Sequence, residues 1–217
     1  HKISDDTAAL KRLYDITNQY DQLFAILENE DDIDEAARIL RKAAPLDKIR
    51  RDADRLSKKG THRRALIRYK ALNDPAKIGW CYYFLNDTLR AAYWLAKAGN
   101  YKTSAELYLD EKQYTQAFSS ILRMDNPADF NIDGFFRILD NVNDDALIHG
   151  AKKMVNDGHY DQAGSIYLNL GDDPNAATFF LLAHNRQTSY AILDEYYKAL
   201  TLPMPFLSLF RKYQLDH

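Results

Sequence analysis

The chain has 217 residues, 46% of them hydrophobic and 28% charged, with a net charge of −2. That balance suits a chain with a sizeable core and excludes a general attraction to nucleic acid or anionic membrane; no run approaches the roughly 18 apolar residues that cross a bilayer. A single cysteine, Cys81, excludes an internal disulfide framework and points to a cytoplasmic location, with the nucleus as the alternative.

The start, His1-Lys2-Ile3-Ser4, has neither an initiator methionine nor a signal-peptide core, so the chain reads as an excerpt of a longer protein. Few glycines and prolines, and no hairpin turn between alternating strands, point to an almost entirely α-helical chain. Apolar periodicity predicts helices over 6–17, 19–29, 33–43, 46–59 and 62–72. It continues over 76–86, 88–98, 101–111, 114–124 and 133–141, then 144–156, 160–170, 174–184, 187–200 and 205–214. Connections of two to five residues imply antiparallel neighbours. Pro45, Pro75, Pro127 and Pro174 are expected to stop helices, because proline lacks the amide donor. Asp144-Asp145 and Asp172-Asp173 fit helix N-caps. In the last segment, Leu202, Phe206, Leu207 and Phe210 either cap the stack or dock onto a further repeat.

One phrase recurs: glycine, any residue, an aromatic, then a small and a large apolar residue three and seven places on. It fits Gly60/His62/Ala65/Tyr69, Gly99/Tyr101/Ser104/Tyr108 and Gly158/Tyr160/Ala163/Tyr167. Copies without the glycine are Ile33/Ala36/Leu40, Thr88/Ala91/Leu95 and Tyr114/Ala117/Ile121. The spacing is one face of a helix, with a small residue that admits a close neighbour and a turn that glycine enters at low cost. Upstream helices carry Phe24, Ala53, Gly79, Ala92, Ala105 or Ala151 about seven places before a turn.

Helix, turn, helix with an aromatic–Ala–aromatic second helix resembles the tetratricopeptide repeat (TPR). The clearest unit is Tyr101, Ala105, Tyr108, Tyr114, Ala117, and the likeness spans residues 15–185. TPR units recur at about 34 residues, whereas Ala36, Ala65, Ala91, Ala117 and Ala163 are spaced by 29, 26, 26 and 46. Short, uneven units of this kind are similar to the helical tails of trafficking and coat-type scaffolds. The resemblance implies an all-α, right-handed superhelical solenoid of stacked antiparallel helix pairs over 1–217, with 186–217 as a cap or junction. It also implies a concave groove lined by Arg50, Trp80, Tyr83, Lys102, Glu106 and Lys152. Protein partners are therefore expected, bound by display on that groove.

Between Lys48 and Lys70 stand ten Lys or Arg, among them Arg51, Arg55, Lys58, Lys59, Arg63 and Arg64, against Asp52 and Asp54. This stripe tracks phosphates or an acidic peptide, or else it answers the acidic block Glu28–Glu35 across adjacent helices. Nucleic acid is the alternative partner on the first of these readings. Asp129, Asn131, Asp133 and Asp140 have the spacing of an EF-hand calcium loop with Gly134 at its sixth place, whereas cap duty for Asn131 or Asp133 explains the same residues. The six histidines lack metal-ligand spacing, and no Walker loop, nucleophile elbow or zinc-protease helix is present. No enzyme activity, cofactor or small-molecule substrate is expected. A further alternative is a regulatory helical segment of a catalytic protein.

Overall fold

Left-handed backbone marks the joints of this chain. In the computed structural model, which describes residues 2–30 and 32–199, Gly60, Asn73, Asn86, Gly99 and Lys112 all have positive φ. Each follows the last by thirteen residues, and Gly158, Gly171 and His184 repeat the interval. At each of these joints but Lys112 a 6→1 hydrogen bond closes the helix, as from Thr61 N–H to Leu56 O at 3.0 Å and from Asp87 N–H to Tyr82 O at 3.0 Å. Five places after each joint lies a residue no more than 1% exposed: Ala65, Ile78, Ala91, Ser104, Ala117, then Ala163, Ala176 and Ser189. The repeat is therefore a single helix plus its joint, and the 26-residue spacing in the sequence is two of them. A pair of this length is shorter than a TPR pair of about 34 residues.

The described residues are all-α, with no strand among them, and divide into two compact units, 1–111 and 112–217. In the first, α1 (Lys2–Ile16) precedes the hairpin of α2 (Tyr20–Leu27) and α3 (Ile33–Ala43). Next come α4 (Leu46–Lys58) with α5 (His62–Leu72), α6 (Pro75–Phe84) with α7 (Thr88–Lys97), and α8 (Tyr101–Asp110). Consecutive helices pack against each other except α3 and α4; α3 packs on α5 instead. α5 thus joins two apolar clusters. Ile67 belongs to one with Leu23, Leu27, Ile39 and Ile49, whereas Ala65 and Leu66 belong to the other with Ala53, Ile78, Ala91 and Leu95. Among the small residues of the repeat, Ala53, Ala92 and Ala105 are wholly buried too, and Gly79 lets α6 lie close on Leu95.

The second unit holds α9 (Tyr114–Ile121), a 3-10 turn (Pro127–Asp129), α10 (Ile132–Leu139), α11 (Asp144–Asn156), α12 (Tyr160–Asn169), α13 (Asp173–Leu182) and α14 (Arg186–Ala199). The 3-10 turn and α10 occupy the stretch where the thirteen-residue interval lapses, which is the 46-residue gap of the sequence. Gly150 of α11 faces the ring of Phe118, and Gly164 of α12 faces Phe180. Ser189 Oγ donates to the Ala177 carbonyl at 2.8 Å, tying α14 to α13.

Two expectations are corrected. The prolines begin helices: Pro45 is the N-cap of α4, Pro75 and Pro127 are first residues, and Pro174 is the second. The first turn has no amide acceptor to satisfy, so proline's missing donor costs nothing there and its fixed φ helps. Asp172 caps α13 as expected, but Asn143 caps α11 and leaves Asp144 and Asp145 in its first turn. Of the repeat tyrosines only Tyr69 is fully buried; Tyr101, Tyr108, Tyr114, Tyr160 and Tyr167 are half-buried. The helix expected over 205–214 and Leu202, Phe206, Leu207 and Phe210 lie outside the described residues.

Candidate functional site

α4 buries Ile49 and Ala53. Lys48, Arg51, Arg55, Lys58 and its C-cap Lys59 fall at i, i+3, i+7, i+10 and i+11, which is the opposite side, and all five are exposed. At 1.5 Å per residue the stripe is roughly 16 Å long. Arg55 binds Asp52 at 2.9 Å, and Arg51 Nε reaches the Asp47 carbonyl at 3.4 Å. Lys48, Lys58, Lys59 and Arg64 are exposed and enter no ion pair among the described residues.

Arg63, Arg68 and Lys70 are engaged by the acidic block, the second of the two readings. Arg68 meets Glu28 at 2.6 Å in a pair only 13% and 16% exposed, and Lys70 meets Asp34 at 2.5 Å. Arg63 donates to the carbonyl oxygens of Glu28, at 2.8 Å, and of Glu30. Burial alone pushes the Lys70 ammonium down, but hydrogen bonds with Asp34 and Tyr82 outweigh it and hold it above its ordinary value. Lys70 also lies over the rings of Tyr82 and Trp94. These cations brace α2 and α3 against α5 and α6.

α6 is apolar all round, so its sequence does not show which side is covered. Ile78, Gly79, Cys81 and Tyr82 are buried, whereas Trp80, Tyr83 and Phe84 are 38%, 44% and 55% exposed. Trp80 and Tyr83 therefore do not pack beneath the next helix pair. They stand edge to face, with ring centres 5.6 Å apart, and Tyr83 meets Phe84 at 5.7 Å. Phe84 stacks in turn on His62 of α5 at 4.5 Å, and His62 Nδ1 is buried with no hydrogen-bond partner among the described residues. Sequence reasoning missed Phe84, Leu85 and Leu89, which extend the apolar surface around the α6–α7 joint. Three large apolar residues about one joint were the available signal.

Arg50 reaches Asp74 at 3.8 Å, and Asp74 caps α6 by accepting from Lys77 N–H at 3.2 Å. Lys102 and Glu106 are exposed one turn apart on α8, at the positions of Ala76 and Trp80 counted twenty-six residues on. Lys152 is exposed on α11 of the second unit.

The calcium-loop spacing is occupied by helix. Asn131 accepts from Asp133 N–H at 3.0 Å as the cap of α10, while Asp140 lies at its far end and accepts from Asn169 at 3.0 Å. Asp129 closes the 3-10 turn and accepts from Asn126 at 2.9 Å. Among the described residues no three His, Cys, Asp or Glu side chains converge as metal ligands, and no helix is long and apolar enough to cross a membrane. Cys81 is buried, which pushes its thiol up to about 11. Tyr69, held up by burial and by donating to Asp54 at 2.8 Å, is likewise a packing group. Compared with known proteins, the chain matches no protein-family profile, no curated sequence and no solved structure.

Proposed function

We propose that this chain is a protein-interaction scaffold, a helical-repeat segment of a larger cytoplasmic or nuclear assembly, with its helix pairs wound as a right-handed TPR-like superhelix. The observation that carries this reading is the exposed Trp80–Tyr83–Phe84 face of α6. Three adjoining rings left in water on a helix whose other side is fully packed are costly unless a partner covers them, and Trp and Tyr are hot-spot residues. The mechanism is display: the packed joints hold the rings rigid, so little ordering cost falls on association.

The test is capture from lysate on the tagged chain, with and without nuclease and at low and moderate salt, beside a Trp80→Ala/Tyr83→Ala variant. Proteins that survive nuclease and salt and are lost on the variant support the scaffold reading. An identical haul on both chains overturns it. The five-cation side of α4 favours a second reading, nucleic-acid binding, whose signature is a haul that vanishes with nuclease.

A further inference from the structure

We infer that the α4–α6 face of the first unit receives an acidic segment of a partner protein, anchored by its own aromatic or leucine side chains; this rests on the scaffold reading above. Two contacts show how the helices lie. Near the start of α4, Arg50 reaches Asp74, the cap of α6. Past the end of α4, His62 stacks on Phe84, at the end of α6. The two helices, each packed on α5, thus run in the same direction. The thirteen-residue interval gives the register, since the joints Gly60 and Asn86 make Lys58 the counterpart of Phe84 and Arg51 the counterpart of Lys77. A partner covering the α6 rings has the α4 cations on its flank.

Charge then selects the occupant. Arg51 and Lys58 are exposed on α4, and of its three acids Asp52 is engaged by Arg55 and Asp54 by the Tyr69 hydroxyl, which leaves Asp47 in the first turn. Within a Debye length of about 8 Å a partner's positive side chains are repelled and its carboxylates attracted. A phosphate backbone fits less well. Of the four cations that would carry a strand onward across α5, Arg63, Arg68 and Lys70 are held by Glu28, Glu30 and Asp34, which leaves Arg64 alone. The rings also stack or stand edge-on to one another, which leaves fewer open faces as platforms for bases.

The experiment is selection of a displayed random-peptide library against the whole chain. Recovered peptides are then measured by fluorescence anisotropy on wild type, Trp80→Ala/Phe84→Ala and Arg51→Glu/Lys58→Glu. All four positions are exposed, and circular dichroism checks that each variant is folded. Expected are peptides rich in Asp and Glu around Trp, Phe or Leu, weakened on the order of tenfold by either variant. Peptides that lack acidic enrichment but need the rings overturn the acidic partner and leave the scaffold reading standing. Peptides indifferent to both variants overturn both. Fluorescein-labelled oligo-uridine that binds more tightly than any peptide and needs Arg51 and Lys58 gives the face to nucleic acid.

Discussion

Replacing Gly79 with alanine tests how closely α6 lies on α7. A Cβ at Gly79 would stand 2.8 and 3.0 Å from Leu95 Cγ and Cδ2, and 3.1 Å from the Leu95 backbone nitrogen. Leu95 is wholly buried, so its side chain has no open space to move into, and the backbone contact yields only if the helices part by a few tenths of an ångström. Such overpacking costs about 1–3 kcal/mol, whereas alanine inside a helix recovers roughly 1 kcal/mol relative to glycine. A net loss of about 1 kcal/mol is expected. Gly79→Val, with more bulk and little recovered propensity, should lose about 3 kcal/mol. Urea unfolding read by tryptophan fluorescence is the assay, because both tryptophans, Trp80 and Trp94, lie in the first unit and report it alone. A Gly79→Ala chain as stable as wild type would refute the claim that this glycine sets the helix separation.

The joints predict a pair of opposite signs. Gly99, at φ 81 with open space around a would-be Cβ, should lose about 1 kcal/mol on change to alanine, while Lys112→Gly, at φ 57, should gain roughly 0.5 kcal/mol. Urea midpoints at unchanged slope decide this, and equal signs would show that backbone strain does not govern the joints. Cys81 should label slowly with iodoacetamide at neutral pH and quickly once urea opens the fold. Its folded value of about 11 lies above the ordinary 9.0, so its share of stability is complete below pH 9 and lost as pH climbs through 11. Rapid labelling of the native chain would contradict its burial.

Helices were legible from their apolar periodicity and short connections. Those at 33–43, 62–72 and 144–156 begin and end where the apolar pattern places them. The joints at Gly60, Gly99 and Gly158 were legible from their glycines, and those at Asn86 and Lys112 from the glycine-free copies. Asn73, Gly171 and His184 adopt the same left-handed backbone, but no aromatic stands two places after them, so the phrase skipped these joints and the single-helix period stayed hidden. The aromatic side of α6 was half legible. Trp80 and Tyr83 were named by analogy with a groove, but a helix apolar all round carries no signal of which side its neighbours leave open, and Phe84 went unnoticed. The basic block was ambiguous because charge pairing is settled by which helices adjoin. α5 lies against α3, whose Asp34 answers Lys70, and Glu28 at the end of α2 answers Arg68, whereas among the described residues the outer side of α4 meets no acidic helix.

The thirteen-residue interval also bears on how such a chain can change in length. Because one helix and its joint form the unit, gaining or losing 26 residues keeps every helix pointing as before, while a change of 13 reverses the direction of all that follow. Either change leaves the packing positions intact, since Ala65, Ile78, Ala91 and Ser104 occupy one site in helices of alternate direction. Recombination between neighbouring copies is thus tolerated by the core in steps of one helix, but it preserves the orientation of a binding surface only in steps of two.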